Sequence, residues 1–181
     1  MKETILILTA IIAISFTLNA QNGNNQIGIA FDADVPTGDF GTFYKTGFGG
    51  TLKGLYGIGT AGQITLTTGY NRFTAKGSTS NAKETLGIIP VLLGYRHNIS
   101  GLFIEPQIGY GRYSDKVNVS GNSGSDNKGA FTWAVGAGYQ ISGFEFGVRF
   151  QSGKVKDPTS SFSFVGLHIG YNFSLGQTAS K

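Results

Sequence analysis

The sequence has no cysteine in its 181 residues. That excludes a thiol-linked lipid anchor, a disulfide scaffold and a thiolate metal site. Charge is scarce too: Asp, Glu, Lys and Arg together make up 13%, against roughly 25% in a typical water-soluble domain. The balance of +4 is mild and no run of basic residues occurs, so nucleic acid is not expected as a partner. Beyond the N-terminal segment no unbroken apolar stretch reaches the roughly 17–25 residues of a spanning helix.

What is present begins with residues 1–20, which have the pattern of a cleaved secretory signal peptide. Lys2 supplies the positive end, residues 5–18 are nearly all apolar, and Asn19-Ala20 offers a cleavage site. Residues 21–181 then form one domain. They are rich in Gly (29), Phe (14) and Tyr (8).

Eight segments of this domain alternate apolar and polar side chains, the period of a strand with one greasy face. They cover residues 26–35, 47–57, 62–73, 85–97, 101–113, 130–141, 144–152 and 161–175. In the last, Val165, Leu167, Ile169, Tyr171, Phe173 and Leu175 alternate with Gly166, His168, Gly170 and Asn172. Each segment is close to the roughly 9–11 residues with which a tilted strand crosses hydrocarbon. Short turns alternate with longer polar connections at 36–46, 74–84, 114–129 and 153–160. That alternation predicts an all-β fold: an eight-stranded antiparallel up-and-down transmembrane β-barrel of the outer membrane, with N- and C-termini in the periplasm. Pro90 and Pro106 fall inside strands. A proline gives the ladder no N–H, so local bulges are expected there.

Two motif matches carry no chemistry. Gly57-Ile58-Gly59-Thr60-Ala61-Gly62 spells a dinucleotide fingerprint, but that motif works only where a strand turns into a helix, and here a strand pattern follows. Ser125-Asp126-Asn127-Lys128 with Lys45-Thr46-Gly47 contains the pieces of a penicillin-binding set, yet they overlap and come in the wrong order. Catalysis on lipid would need a nucleophile, a base and an orienting acid. Only His97 and His168 are candidate bases: His97 sits near a turn with no acid in its neighbourhood, and His168 points inward.

Lys53, Arg96, Glu105, Glu145, Arg149 and His168 all fall on the inward face, where enclosed charges must be paired. They predict a polar lumen network, with Glu105 and Arg149 as natural partners. Tyr56, Tyr70, Tyr95, Tyr110, Trp133, Tyr139 and Tyr171 fall on the outward face and predict interfacial girdles. Residues 113–128 predict a solvated loop. Asp115 and Asp126 lie there without calcium-loop spacing, and neither metal nor cofactor is expected.

The segment ending in His168, Gly170, Phe173 and Leu175 resembles the C-terminal insertion signal of outer-membrane barrels, although Gly176–Lys181 extends past it. The stretches 36–41, 89–96 and 104–111 (Pro-Thr-Gly-Asp-Phe-Gly, Ile-Pro-Val-Leu-Leu-Gly-Tyr-Arg and Ile-Glu-Pro-Gln-Ile-Gly-Tyr-Gly) are similar to the small outer-membrane β-barrel domain family of Gram-negative bacteria. The resemblance covers nearly all of residues 21–181 and brings no catalytic residues with it. It implies contact with outer-membrane lipids, insertion by the barrel-assembly machinery, and an external partner reached through the long loops. The expected function is structural or interactional. The alternative is a narrow gated channel or small-ligand barrel, and after it a lipid-modifying enzyme.

Overall fold

The computed structural model describes residues 24–79, 82–119, 122–154 and 161–175; the signal segment expected at 1–20 lies outside the described residues. Eight strands, β1 (Gln26–Thr37), β2 (Gly47–Ile58), β3 (Gly62–Thr74), β4 (Ala82–Ile99), β5 (Leu102–Val119), β6 (Asn122–Ile141), β7 (Phe144–Lys154) and β8 (Ser161–Ser174), follow one another round a closed barrel. Every neighbouring pair is antiparallel, and β1 pairs with β8 to close the ring. Closure leaves no unpaired edge, which is what a sheet in hydrocarbon requires. A short helix, α1 (Gly38–Phe43), joins β1 to β2.

The start of β1, the end of β8 and three tight connections lie at one end of the barrel. Two of those connections repeat the same Ile-Ser-Gly sequence. Ser100 and Gly101 have φ of 49° and 91°, Ser142 and Gly143 of 49° and 88°. Two consecutive positive φ values make a type I′ turn, whose twist matches that of the strands it joins.

The side chains divide cleanly by parity. Ile29, Phe31, Leu66, Leu93, Ile108, Phe131 and Ile169 point outward and are about half exposed or more, Ile108 and Ile169 at 60%. Asp32, Thr65, Thr67, Arg96, Glu105, Thr132 and Gln151 point inward and are buried. This inverts the water-soluble arrangement and fits a molecule whose solvent is lipid.

Three expectations are corrected. Residues 114–119 and 122–129 are strand rather than loop: β5 and β6 continue to pair from Ser114↔Asn127 up to Val119↔Asn122. The polar residues there occupy both faces, so no amphipathic period marks them, yet the two backbones satisfy each other in water. β6 has 20 residues, far more than the roughly 9–11 that cross the hydrocarbon, so this hairpin projects beyond the long-connection end. Residues 36–46, expected as a plain loop, hold α1. Finally, neither proline makes a bulge, because the registers run without slip on both sides. Instead the β3–β4 ladder skips Gly69–Tyr70 opposite Ile89–Pro90, and the β4–β5 ladder skips Tyr95–Arg96 opposite Glu105–Pro106. The missing N–H is absorbed by a short gap on one flank while the other flank stays paired. At the first gap the Thr68 hydroxyl donates to the Pro90 carbonyl at 2.9 Å.

Candidate functional site: the barrel interior

Four strands converge on one ion cluster in the middle of the barrel. β2 contributes Lys53, β4 Arg96, β5 Glu105 and β7 Glu145, all buried. Arg96 Nη1 and Nη2 donate to the two carboxylate oxygens of Glu145 at 2.7 and 2.9 Å. Its Nε and Nη2 donate to Glu105 Oε2 at 3.0 and 2.7 Å. Lys53 Nζ bridges the same two carboxylates at 3.0 and 3.2 Å. Two cations thus face two anions in a closed cycle, the condition under which buried charge is tolerated.

Neighbours complete the shell. Asn172 Nδ2 donates to Glu145 at 2.7 Å, and His168 Nε2 shares a 2.9 Å hydrogen bond with it. Gln107 Nε2 donates to Glu105 and to Thr67, both at 2.8 Å. The Phe103 ring lies against the Arg96 guanidinium, 3.8 Å from carbon to centroid, a cation–π contact in a desolvated place.

Arg149 does not join this cycle. The pairing expected between it and Glu105 is replaced by a 3.8 Å approach to Asp32, while Glu105 is taken by Lys53 and Arg96. The register explains the change: Gly166 lies opposite both Arg149 and Asp34, so β8 offers no side chain there and Arg149 reaches across to β1. Asp32 also accepts from Thr51 Oγ1 at 2.5 Å, and Asp34 accepts from Asn71 Nδ2. The free space left beside Asp32, Lys53, Glu145, Arg149 and His168 is about 10 Å³, room for about one water.

Between this polar zone and the long-connection end the interior turns apolar, a layer that parity reasoning treated as polar and so missed. Phe73, Leu86, Ile88, Tyr113, Ala130 and Phe164 point inward and pack as one buried cluster. α1 lays Phe40 into its top: ring centroids are 5.0 Å from Phe73 and 5.4 Å from Phe162. Below it Phe73 meets Phe164 at 5.3 Å. α1 is held by backbone bonds, Lys45 N to Thr74 O at 2.9 Å and Lys76 N to Phe43 O at 2.8 Å. The Tyr44 hydroxyl donates to Glu84 at 2.8 Å; burial and that carboxylate push its pKa above the ordinary tyrosine value.

Of the remaining sequence candidates, Tyr56, Tyr70, Tyr95, Tyr110, Trp133 and Tyr139 are exposed on the outer wall, and Tyr171 is half-buried there. Phe173 and Leu175 face outward, His168 and Gly170 inward. Among the described residues the two histidines have different partners. His97 lies 3.5 Å from the Tyr95 hydroxyl, and His168 is held by Glu145 with no hydroxyl bonded to it. Gly57–Gly62 joins two strands, so no helix N-terminus is present to receive a pyrophosphate. Asp115 and Asp126 stand opposite each other across the β5–β6 ladder. Among the described residues no group of His, Asp or Glu is placed to hold a metal ion.

Comparison with known proteins agrees with this architecture. The family model of the outer membrane protein β-barrel domain matches residues 4–173. No curated protein sequence matches the chain. Several solved structures do. Ail, the attachment invasion locus protein of Yersinia pestis, in complex with the heparin analogue sucrose octasulfate, superposes with a TM-score of 0.64 at 17% identity, over 83% of this chain and 99% of that one. The N-terminal β-barrel domain of Pseudomonas aeruginosa OprF gives 0.60 at 15% identity, over 84% and 100%. Neisserial surface protein A gives 0.58 at 14%, over 84% and 97%. At these identities the likeness is one of fold.

Proposed function

The chain belongs to the outer membrane protein β-barrel domain family, and we propose that it acts as a closed structural barrel which displays its long hairpins at the cell surface to an external partner, without catalytic activity. One observation carries this reading. The interior holds the ion cluster and, toward the long-connection end, the aromatic layer; the space beside Asp32, Arg149 and His168 admits about one water, while β5 and β6 run on together beyond the hydrocarbon. The interior therefore supplies rigidity, and the projecting backbone supplies reach.

In this reading the tight turns and both chain ends face the periplasm and the long connections face outside, the orientation common to such barrels. His168, Gly170, Phe173 and Leu175 serve insertion by the barrel-assembly machinery. Inward His168 and Gly170 alternate with outward Phe173, so one side of the final strand is readable before the barrel closes. The Yersinia protein crystallised with a sulfated sugar supports the idea that a barrel of this shape meets an external ligand.

Planar-bilayer recording tests the proposal. The purified chain should be electrically silent at all voltages. Steady single-channel openings would overturn it and favour a narrow channel. Crosslinking from the β5–β6 hairpin on intact cells should then capture a surface partner rather than a periplasmic one.

A further inference from the structure

The outer wall formed by β3, β4 and β5 carries a feature that barrel closure does not need. Arg72, Arg112 and Lys116 all project outward and are exposed, and they share a pocket of about 310 Å³ with Thr85, Gly87 and Ser114. The registers build it. Arg72 lies opposite Gly87 and Gly87 opposite Ser114. Arg112 lies opposite Ile89, and Lys116 opposite Thr85. β4 thus offers the small side chains Thr85 and Gly87, with Ile89 below them, between two flanking strands that offer long cations. A Cβ on Gly87 would meet the Tyr70 hydroxyl at 2.9 Å, so the glycine lets that hydroxyl lie in the floor of the pocket.

None of the three cations is in an ion pair among the described residues; the outward cations and the inward acids are separated by parity. Asp115, the sequence neighbour of Lys116, faces in toward Leu86 in register. Glu84 is turned to Tyr44. Three unpaired cations on a lipid-facing wall would be costly at the depth of the acyl chains. Their position resolves this. Arg72 follows Tyr70, and Arg112 follows Tyr110, by one same-face step toward the long-connection end. Tyrosines of this kind mark the headgroup level, so the cations stand among headgroup phosphates.

Below the pocket the same wall holds an open apolar groove of about 710 Å³, floored by Pro106 and Gly94 and flanked by Leu93, Ile108, Phe131 and Trp133. Cationic pocket above and apolar groove below lie on one outer face along β4 and β5. The geometry points to a binding site for a phosphorylated lipid of the leaflet on the long-connection side: Arg72, Arg112 and Lys116 hold the phosphate and the groove holds an acyl chain. Guanidinium groups suit the task because they donate in pairs to phosphate oxygens. This inference is independent of any external partner and of whether the lumen conducts.

Trp133 is the only tryptophan and reports on the groove directly. It lies four residues along β6 from Gly129, the register partner of Arg112, or about 13 Å at strand rise. The experiment reconstitutes the folded chain in phosphatidylcholine vesicles containing phosphatidic acid and places bromine on the acyl chains of one lipid or the other. Brominated phosphatidic acid should quench Trp133 more strongly than brominated phosphatidylcholine at equal mole fraction. Arg72→Gln with Arg112→Gln should reduce that selectivity by roughly thirtyfold, the scale of losing two cations at a lipid surface. Arg72→Lys with Arg112→Lys should keep part of it. Lys154→Gln, an exposed cation on β7, should leave it unchanged. Should the double variant fail to fold, Lys116→Gln reads the same site with one charge removed. Equal quenching by both lipids in the wild type would overturn the proposal, as would equal loss in Lys154→Gln. Loss of selectivity on adding inorganic phosphate would assign the pocket to a soluble anion and overturn the lipid reading.

Discussion

Arg96 grips Glu145 through both terminal guanidinium nitrogens, at 2.7 and 2.9 Å, across the interior from β4 to β7. The two strands are not neighbours in the sheet, so this pair is a strut through the barrel rather than a rung of its ladder. Replacing Arg96 by Met keeps length but strands Glu105 and Glu145 with Lys53 alone. The expected cost is about 3–5 kcal/mol, that of leaving a buried charge uncompensated. Urea titration followed by the mobility difference between unboiled and boiled protein measures it. The double variant Arg96→Met, Glu145→Gln should recover much of the loss, because it leaves Lys53 paired with Glu105 and neither buried charge uncompensated.

The aromatic layer makes a different prediction, because its members belong to elements of different strength. Phe73 is fully buried on β3. Phe73→Ala should lower global stability by about 3–5 kcal/mol, the range for removing a core aromatic. Phe40 belongs to a six-residue helix tied down by a few backbone bonds. Phe40→Ala should release that segment locally, since an element with few buried contacts opens before the whole molecule. Limited proteolysis should then cut within residues 36–46, while the barrel keeps its folded gel mobility.

The outer stripe was legible because hydrocarbon imposes a strict period: in β8, Val165, Leu167, Ile169, Tyr171 and Phe173 never break step. Inward polarity was legible for the same reason. Partner choice was not. Glu105 meets Arg96 and Lys53 because of the stagger between strands, and Arg149 turns to Asp32 because Gly166 leaves a gap; neither quantity is visible in one strand's pattern. The aromatic layer was hidden because Phe73, Tyr113 and Phe164 keep inward parity while being apolar, so alternation alone cannot mark the depth at which the interior dries out. The cationic pocket was hidden because Arg72 and Arg112 are 40 residues apart in the chain and meet only through β4.

Two glycines of the wall should respond in opposite ways to the same change. At Gly109 an added Cβ would lie 2.0 Å from the Val91 carbonyl oxygen and 3.0 Å from the Leu92 Cα. Those are backbone atoms of the adjacent strand and cannot step aside. At Gly54, which faces lipid, nothing lies within 4 Å. Gly109→Ala should destabilise by about 1–3 kcal/mol, the range for overpacking. Gly54→Ala should gain about 0.4–1 kcal/mol by restricting the unfolded chain. Parallel urea titrations of the two variants compare them directly, and a loss in both would mean that the close approach at Gly109 is not what sets the cost.

Membrane orientation can be read with single introduced thiols, since the native chain has none to confuse the signal. Ser142 occupies a type I′ turn at the tight-turn end, and Asn127 lies in the projecting part of β6, opposite Ser114. Both positions are exposed, so labelling differs only by the side of the membrane they reach. With a membrane-impermeant maleimide on intact cells, Asn127→Cys should label and Ser142→Cys should not. Permeabilising the outer membrane should make both react. The reverse pattern would put the β5–β6 hairpin in the periplasm. A surface partner would then have only the tight turns to touch, and their backbone is already committed to closing the strands.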